Sequence, residues 1–205
     1  MEWVNILTGL IALLVLSIGL PLALRKRRKV GPQNVEQFLH HLQEIGVEAF
    51  LAERGVAEEK VGTSRGWGQR SEGVIKIERR NIDYINVISI ASQYGVSYSL
   101  DYLVKNPSWL GRKKRKKVRM VRRKSSGIRG RVVDIEWKGD DYLSQELNFD
   151  YRLKDKLLQA ELKGNIKIFP EPKYEYARVR TVYLLPSLDL FEAIDIIAGH
   201  IKSGW

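Results

Sequence analysis

The sequence predicts an α+β fold in which a single N-terminal transmembrane helix precedes one cytoplasmic domain, an antiparallel sheet with helices packed on one face. Three observations point there. An uncharged run of 21 residues, Val4 to Leu24, opens the chain. Strict two-residue alternation, as in Val96, Tyr98, Leu100, Tyr102 and Val104, marks strands. Amphipathic helical stretches stand in blocks among those strands instead of alternating regularly with them, an order that suits an antiparallel sheet better than a doubly wound parallel one.

The apolar run comes first. At 1.5 Å per residue its 21 residues reach about 30 Å, the thickness of a bilayer core. Thirteen of them are Leu, Ile or Val, each contributing roughly −0.3 to −0.6 kcal/mol near the centre of an inserting helix, for a sum of about −4 to −8 kcal/mol. Arg25, Lys26, Arg27, Arg28 and Lys29 follow at once and set the topology, because positive residues stay on the cytoplasmic side. Trp3 suits the opposite interface. A cleaved signal peptide carries its positive charge before the apolar run, the reverse of the order here. The expected organisation is therefore an anchor at 1–24, a basic juxtamembrane linker at 25–33 and an α+β domain at 34–205. The expected location is the cell membrane, single-pass, with the N-terminus outside.

Gly31 and Pro32 break the chain, and Asn34 with Gln37 resembles a capping box. A helix is expected from there to Gly55, with Val35, Phe38, Leu39, Leu42, Gly46, Ala49 and Phe50 as its apolar stripe. Residues 62–73 read as a glycine-rich loop. Gly68 and Gly73 have a phosphate-loop spacing, but Val74 and Ile75 stand where Lys and Ser or Thr are required. Ile75 and Ile77 begin a strand, and residues 82–91 read as a strand or a helix, with the strand favoured by β-branched content. A turn at 91–95 leads into the alternating run that ends at Val104.

Val132 to Trp137 reads as another strand, and Asp140 or Asp141 as the cap of a helical region that runs to Gly164 with a break at 148–150. Ile166 and Ile168 open a strand, Pro170 and Pro172 flank a turn, and Tyr174 to Leu184 forms the second arm of a hairpin. Ser187 caps a final helix whose apolar face holds Leu190, Phe191, Ile194, Ile197, Ala198 and Ile201.

Charge is distributed unevenly. The net +11 is concentrated in the five basic residues at 25–29 and in the stretch from Arg112 to Arg131, which holds twelve basic residues and no acidic one. Setting those seventeen aside leaves 18 of the 35 basic residues against 24 acidic, so the body of the chain is mildly acidic. Residues 109–131 are expected to form an exposed basic loop or the protruding end of a hairpin. Its candidate anion-binding residues are Arg112, Lys113, Lys114, Arg115, Lys116, Lys117, Arg119, Arg122, Arg123 and Lys124, with Trp109 as an interfacial anchor.

Three partners suit such a run. Anionic lipid on the inner membrane surface is favoured, because the anchor holds the domain beside it and each basic residue near that surface contributes about 1 kcal/mol. Nucleic acid is the alternative, but base-stacking aromatics are not interleaved with the charges and no recognition motif accompanies them. An acidic protein surface, another copy of the chain or a membrane complex that the chain assists is the third. The bland reading is a solvated loop without a ligand.

The residues for catalysis do not assemble in the sequence. There is no cysteine. His40 and His41 are adjacent and point about 100° apart on a helix, so they cannot form the i, i+4 pair of a zinc helix, and His200 stands alone. Glu136, Asp140 and Asp141 match no calcium loop. The expectation is a binding or scaffolding domain with no catalytic residues, no metal and no cofactor.

Overall fold

The computed structural model describes residues 31–63, 68–93, 95–106, 115–125, 132–160, 162 and 164–205. The expected anchor, the basic residues at 25–29, Trp3, Trp109 and Arg112 to Lys114 lie outside these. No helix among the described residues is long and apolar enough to cross a membrane.

Among the described residues the fold is α+β, with one eight-stranded antiparallel sheet and four helices. Helix α1 (Gly31–Glu44) is followed by β1 (Ala49–Leu51), a 3-10 turn (Ala57–Lys60), β2 (Gln69–Ile77), β3 (Tyr84–Ser92) and β4 (Gly95–Lys105). Then come β5 (Val118–Lys124), β6 (Val132–Lys138), α2 (Asp141–Phe149), α3 (Tyr151–Gln159), β7 (Lys167–Glu171), a 3-10 turn (Pro172–Tyr174), β8 (Tyr176–Val182) and α4 (Leu188–Gly204). The sheet order is β1-β2-β3-β4-β8-β7-β5-β6.

The first helix starts before the expected cap at Asn34 and stops well short of Gly55. Gly46, at φ +82°, donates to Gln43 O at 3.0 Å, and Val47 donates to Leu42 O at 2.9 Å. These are the paired bonds of a left-handed glycine terminator, clasped by the buried side chains of Leu42 and Val47. Ala49 and Phe50, read as part of the helical stripe, instead sit on β1, where strand alternation buries the first and exposes the second.

Residues 69–73, read as part of a loop, instead open β2. At the next hairpin and the helix caps the local chemistry acts as expected. Residues 84–92 form a strand paired with β4 through the turn at Ser92 and Gly95. The oxygens of Asp140, Asp150 and Ser187 accept from the N–H groups of Leu143, Leu153 and Leu190, capping α2, α3 and α4.

Cross-strand register builds the core. Ile75, Ile85, Tyr102, Val179, Ile168 and Val118 are successive partners across six strands and share one face. All are buried, packed with Val35, Phe38 and Leu42 of α1, Leu143 and Leu147 of α2, Leu153 and Leu157 of α3, and the apolar side of α4. Burial of Tyr102 in this layer pushes its hydroxyl pKa up.

The outer edge of the sheet is protected. Asn148 accepts from Trp137 N–H at 2.8 Å and donates to Trp137 C=O at 3.0 Å, so a side-chain amide replaces a neighbouring strand along β6.

Candidate anion-binding face

The face opposite the helices carries a different row. Asp101 on β4 is the register partner of Arg180 on β8, Arg180 of Lys167 on β7, Lys167 of Arg119 on β5, and Arg119 of Lys138 on β6. Strand alternation makes this inevitable: each of these residues neighbours in sequence a side chain of the buried apolar core, so each points the other way. Four basic residues thus stand side by side on four adjacent strands.

Beneath them lies a carboxylate network. Asp101 is fully buried. It accepts from Arg180 Nε at 2.6 Å and Nη2 at 2.7 Å, and from Arg178 Nη1 at 3.2 Å. Glu171 accepts from Arg178 Nη2 at 2.7 Å and Nε at 3.0 Å. Burial alone would lower the Arg180 pKa, but the hydrogen bonds and charge of Asp101 outweigh it and hold the guanidinium more firmly protonated than usual. Gly62, at φ +79°, lets the covering loop approach: a Cβ there would come within 2.6 Å of Asp101 Oδ2 and 2.7 Å of Arg178 Cδ.

Phe169, one step along β7 from Ile168, is the apolar centre of the face. Arg178 Cζ lies 4.5 Å from its ring centroid, Lys117 Nζ 4.6 Å and Arg180 Cζ 6.0 Å. The two arginines are matched by the two carboxylates. Lys117, Arg119 and Lys167 form no ion pair among the described residues. Partial desolvation, then the charges of Lys167, Arg119 and Arg178, push the Lys117 pKa down. Among the described residues the face therefore has an excess of positive charge, held at fixed spacing, that no carboxylate pairs with.

The basic segment divides between this face and other places. Val118–Lys124, expected within an exposed loop, is a strand inside the sheet, because Val118 and Met120 supply buried apolar side chains at alternate positions. Lys117 and Arg119 join the face, and Arg123, four residues further along β5 on an exposed position, shares its side. Arg115 is not a surface cation: Nη2 donates to Gly204 O at 3.1 Å, and its guanidinium lies 5.8 Å from the Tyr142 ring centroid. Lys116 is exposed, and its backbone N–H donates to Asp140 Oδ2 at 3.1 Å. Arg122 faces the helix side, where Nε donates to Asn165 Oδ1 at 3.1 Å and Nη1 to Leu162 O at 2.8 Å. Lys124 ends the strand beyond a register shift.

Sequence reasoning missed Asp101, Lys138, Lys167, Phe169, Glu171, Arg178 and Arg180. A signal was present in the last pair: Ala177 and Val179 alternate with Arg178 and Arg180, the pattern of a strand with one apolar and one cationic face. The histidines lie elsewhere. His41 Nε2 is 2.8 Å from Pro186 O, and His200 Nε2 is 2.8 Å from Asp150 Oδ2.

Comparison with protein-family models, curated proteins and solved structures returns no match.

Proposed function

We propose that this chain is a single-pass membrane protein whose cytoplasmic domain binds anionic lipid through the basic face of its sheet, as a binding or scaffolding module without catalysis. One observation carries the reading: Lys117, Arg119 and Lys167 stand together, unneutralised, beside the Arg180 end of a cross-strand basic row. Like charges directly opposite on paired strands cost stability, so an array of this kind is accounted for by a ligand of opposite charge. Lipid headgroups meet that need. The apolar run at 4–24 and the basic residues behind it would keep the domain within reach of the inner leaflet, where each exposed cation contributes about 1 kcal/mol.

A nucleic acid would be drawn by the same charge, but Phe169 already has Arg178 and Lys117 against its ring and offers no vacant stacking platform. Vesicle flotation of residues 31–205 tests the reading. Binding to vesicles containing phosphatidylserine, absent with neutral phosphatidylcholine and lost in K117Q/R119Q/K167Q, is expected. Equal recovery with both vesicle types, or an undiminished triple variant, overturns it. Salt-sensitive gel shifts without vesicle binding would transfer the face to nucleic acid.

A further inference from the structure

Three cations without an ion pair among the described residues are crowded onto one small part of the basic face. Arg119 and Lys167 are register partners on β5 and β7, which sets their Cα atoms about 5 Å apart. Lys117 precedes Arg119 by two residues, about 7 Å along an extended chain. Its Nζ rests 4.6 Å from the centroid of Phe169, a ring that the Arg178 guanidinium also contacts at 4.5 Å. Lys117, Arg119 and Lys167 are all exposed. The carboxylates described on β5 to β8 are already engaged: Glu136 with Lys138 at 3.1 Å, Asp134 with Lys154 at 2.6 Å and Glu171 with Arg178 at 2.7 Å.

The three positions form two centres. Arg119 and Lys167, side by side across the strands, make one. Lys117, placed by its contact with Phe169, makes the other, one same-face repeat away. We propose that these two centres together bind a lipid whose headgroup carries two phosphates joined by a short polyol bridge, an inference that rests on the lipid-binding reading above.

Charge and entropy both favour a joined pair. A single headgroup of one negative charge leaves most of the repulsion among the three cations in place, and like charges on paired positions cost stability until they are compensated. Two separate lipids supply the charge, but each must be confined beside the other with their phosphates in repulsion. A bridged pair is confined already by its covalent structure. Once one phosphate is held by Arg119 and Lys167, the second is presented to Lys117 at high effective concentration. The planar guanidinium of Arg119 gives that first contact direction through two parallel N–H···O bonds, whereas the lysines act as point charges and accept either orientation of the bridge.

The test uses the full chain in neutral detergent micelles, titrated calorimetrically with short-chain cardiolipin, short-chain phosphatidylglycerol and glycerol 1,3-bisphosphate at equal total phosphate. The two lipids share the same diester phosphate and glycerol and differ in whether two phosphates are joined. Cardiolipin is expected to bind about tenfold more tightly. This is below the gain of about a hundredfold or more for linked ligands in free solution, because lipids sharing a micelle are already concentrated. K117Q and K167Q are each expected to abolish the preference while weakening phosphatidylglycerol binding by no more than about fivefold, the effect of one surface charge. K117R is expected to retain it. The charge at 25–29 is the same in every variant, so the difference between them reads the face. The wild-type comparison stands even if a variant folds poorly.

Equal affinity for the two lipids overturns the two-phosphate site while leaving anionic-lipid binding intact, and failure of both lipids to bind overturns that reading too. A preference undiminished in K117Q and K167Q overturns the assignment to these two centres. Glycerol 1,3-bisphosphate binding as tightly as cardiolipin would make the ligand a soluble bisphosphate and overturn the lipid source.

Discussion

Replacing Lys167 by glutamine should stabilise the domain while weakening its hold on anionic vesicles. Lys167 is the direct register partner of Arg119 on one side and Arg180 on the other. Unit charges about 6 Å apart repel by about 0.7 kcal/mol in a water-like dielectric. Arg180 is largely compensated by its two bonds to Asp101, so Arg119 is the main opponent. K167Q should therefore gain about 0.5–1 kcal/mol in roughly 10 mM salt, where the screening length is about 30 Å, and almost nothing in 1 M salt, where it is about 3 Å. Urea is the suitable denaturant because it adds no ions. At low salt the melting temperature should rise by about 1–4 °C. A variant less stable than the wild type at low salt, or a gain that persists undiminished in 1 M salt, would refute the repulsion and with it the claim that the face awaits an anion.

Removing the carboxylate beneath the face should have the opposite effect: D101N leaves Arg178 and Arg180 under-neutralised around a buried position and is expected to cost about 3–5 kcal/mol, read by urea denaturation. At Asp150 two roles separate, because asparagine can still cap α3; D150A should lose about 1 kcal/mol more than D150N. Burial would raise the Asp150 pKa, but its bond with His200 and the N–H groups of Leu153 and Arg152 pull it below the ordinary value. A depressed carboxylate contributes stability that is full above the unfolded pKa of about 3.9 and disappears as pH falls through the lower folded value. The advantage of wild type over D150N should accordingly shrink below about pH 4 in an acid titration followed by circular dichroism. Finally, N148A should uncover the β6 edge and produce concentration-dependent association in size-exclusion chromatography, and a monomeric profile at every concentration would count against the edge role.

Local patterns carried much of the architecture. The alternation through Val96 to Val104, the cap oxygens of Asp140 and Ser187, and the interruption near residues 148–150 each depend on neighbours within a few positions, so each was legible directly. The end of α1 was not. Gly46 is compatible with an apolar stripe and with a left-handed terminator, and only the clasp of Val47 on Leu42 distinguishes them. The basic segment was misread for a related reason. Dense charge suggested a loop, while the two apolar residues that hold β5 in the sheet, Val118 and Met120, were too few to register against it.

What the sequence determined by itself was the class of fold, most of its strands and caps, and the concentration of positive charge near residues 112–131. Only the tertiary structure decided where that charge acts. Register between distant strands sets Arg119 beside Lys167 and Lys167 beside Arg180, and it tucks Arg115 against the last helix. Period-two alternation tells which residues share a face of one strand, but not which strands lie next to one another. That choice comes from packing the apolar rows under the helices, and the cationic row on the opposite face follows from it.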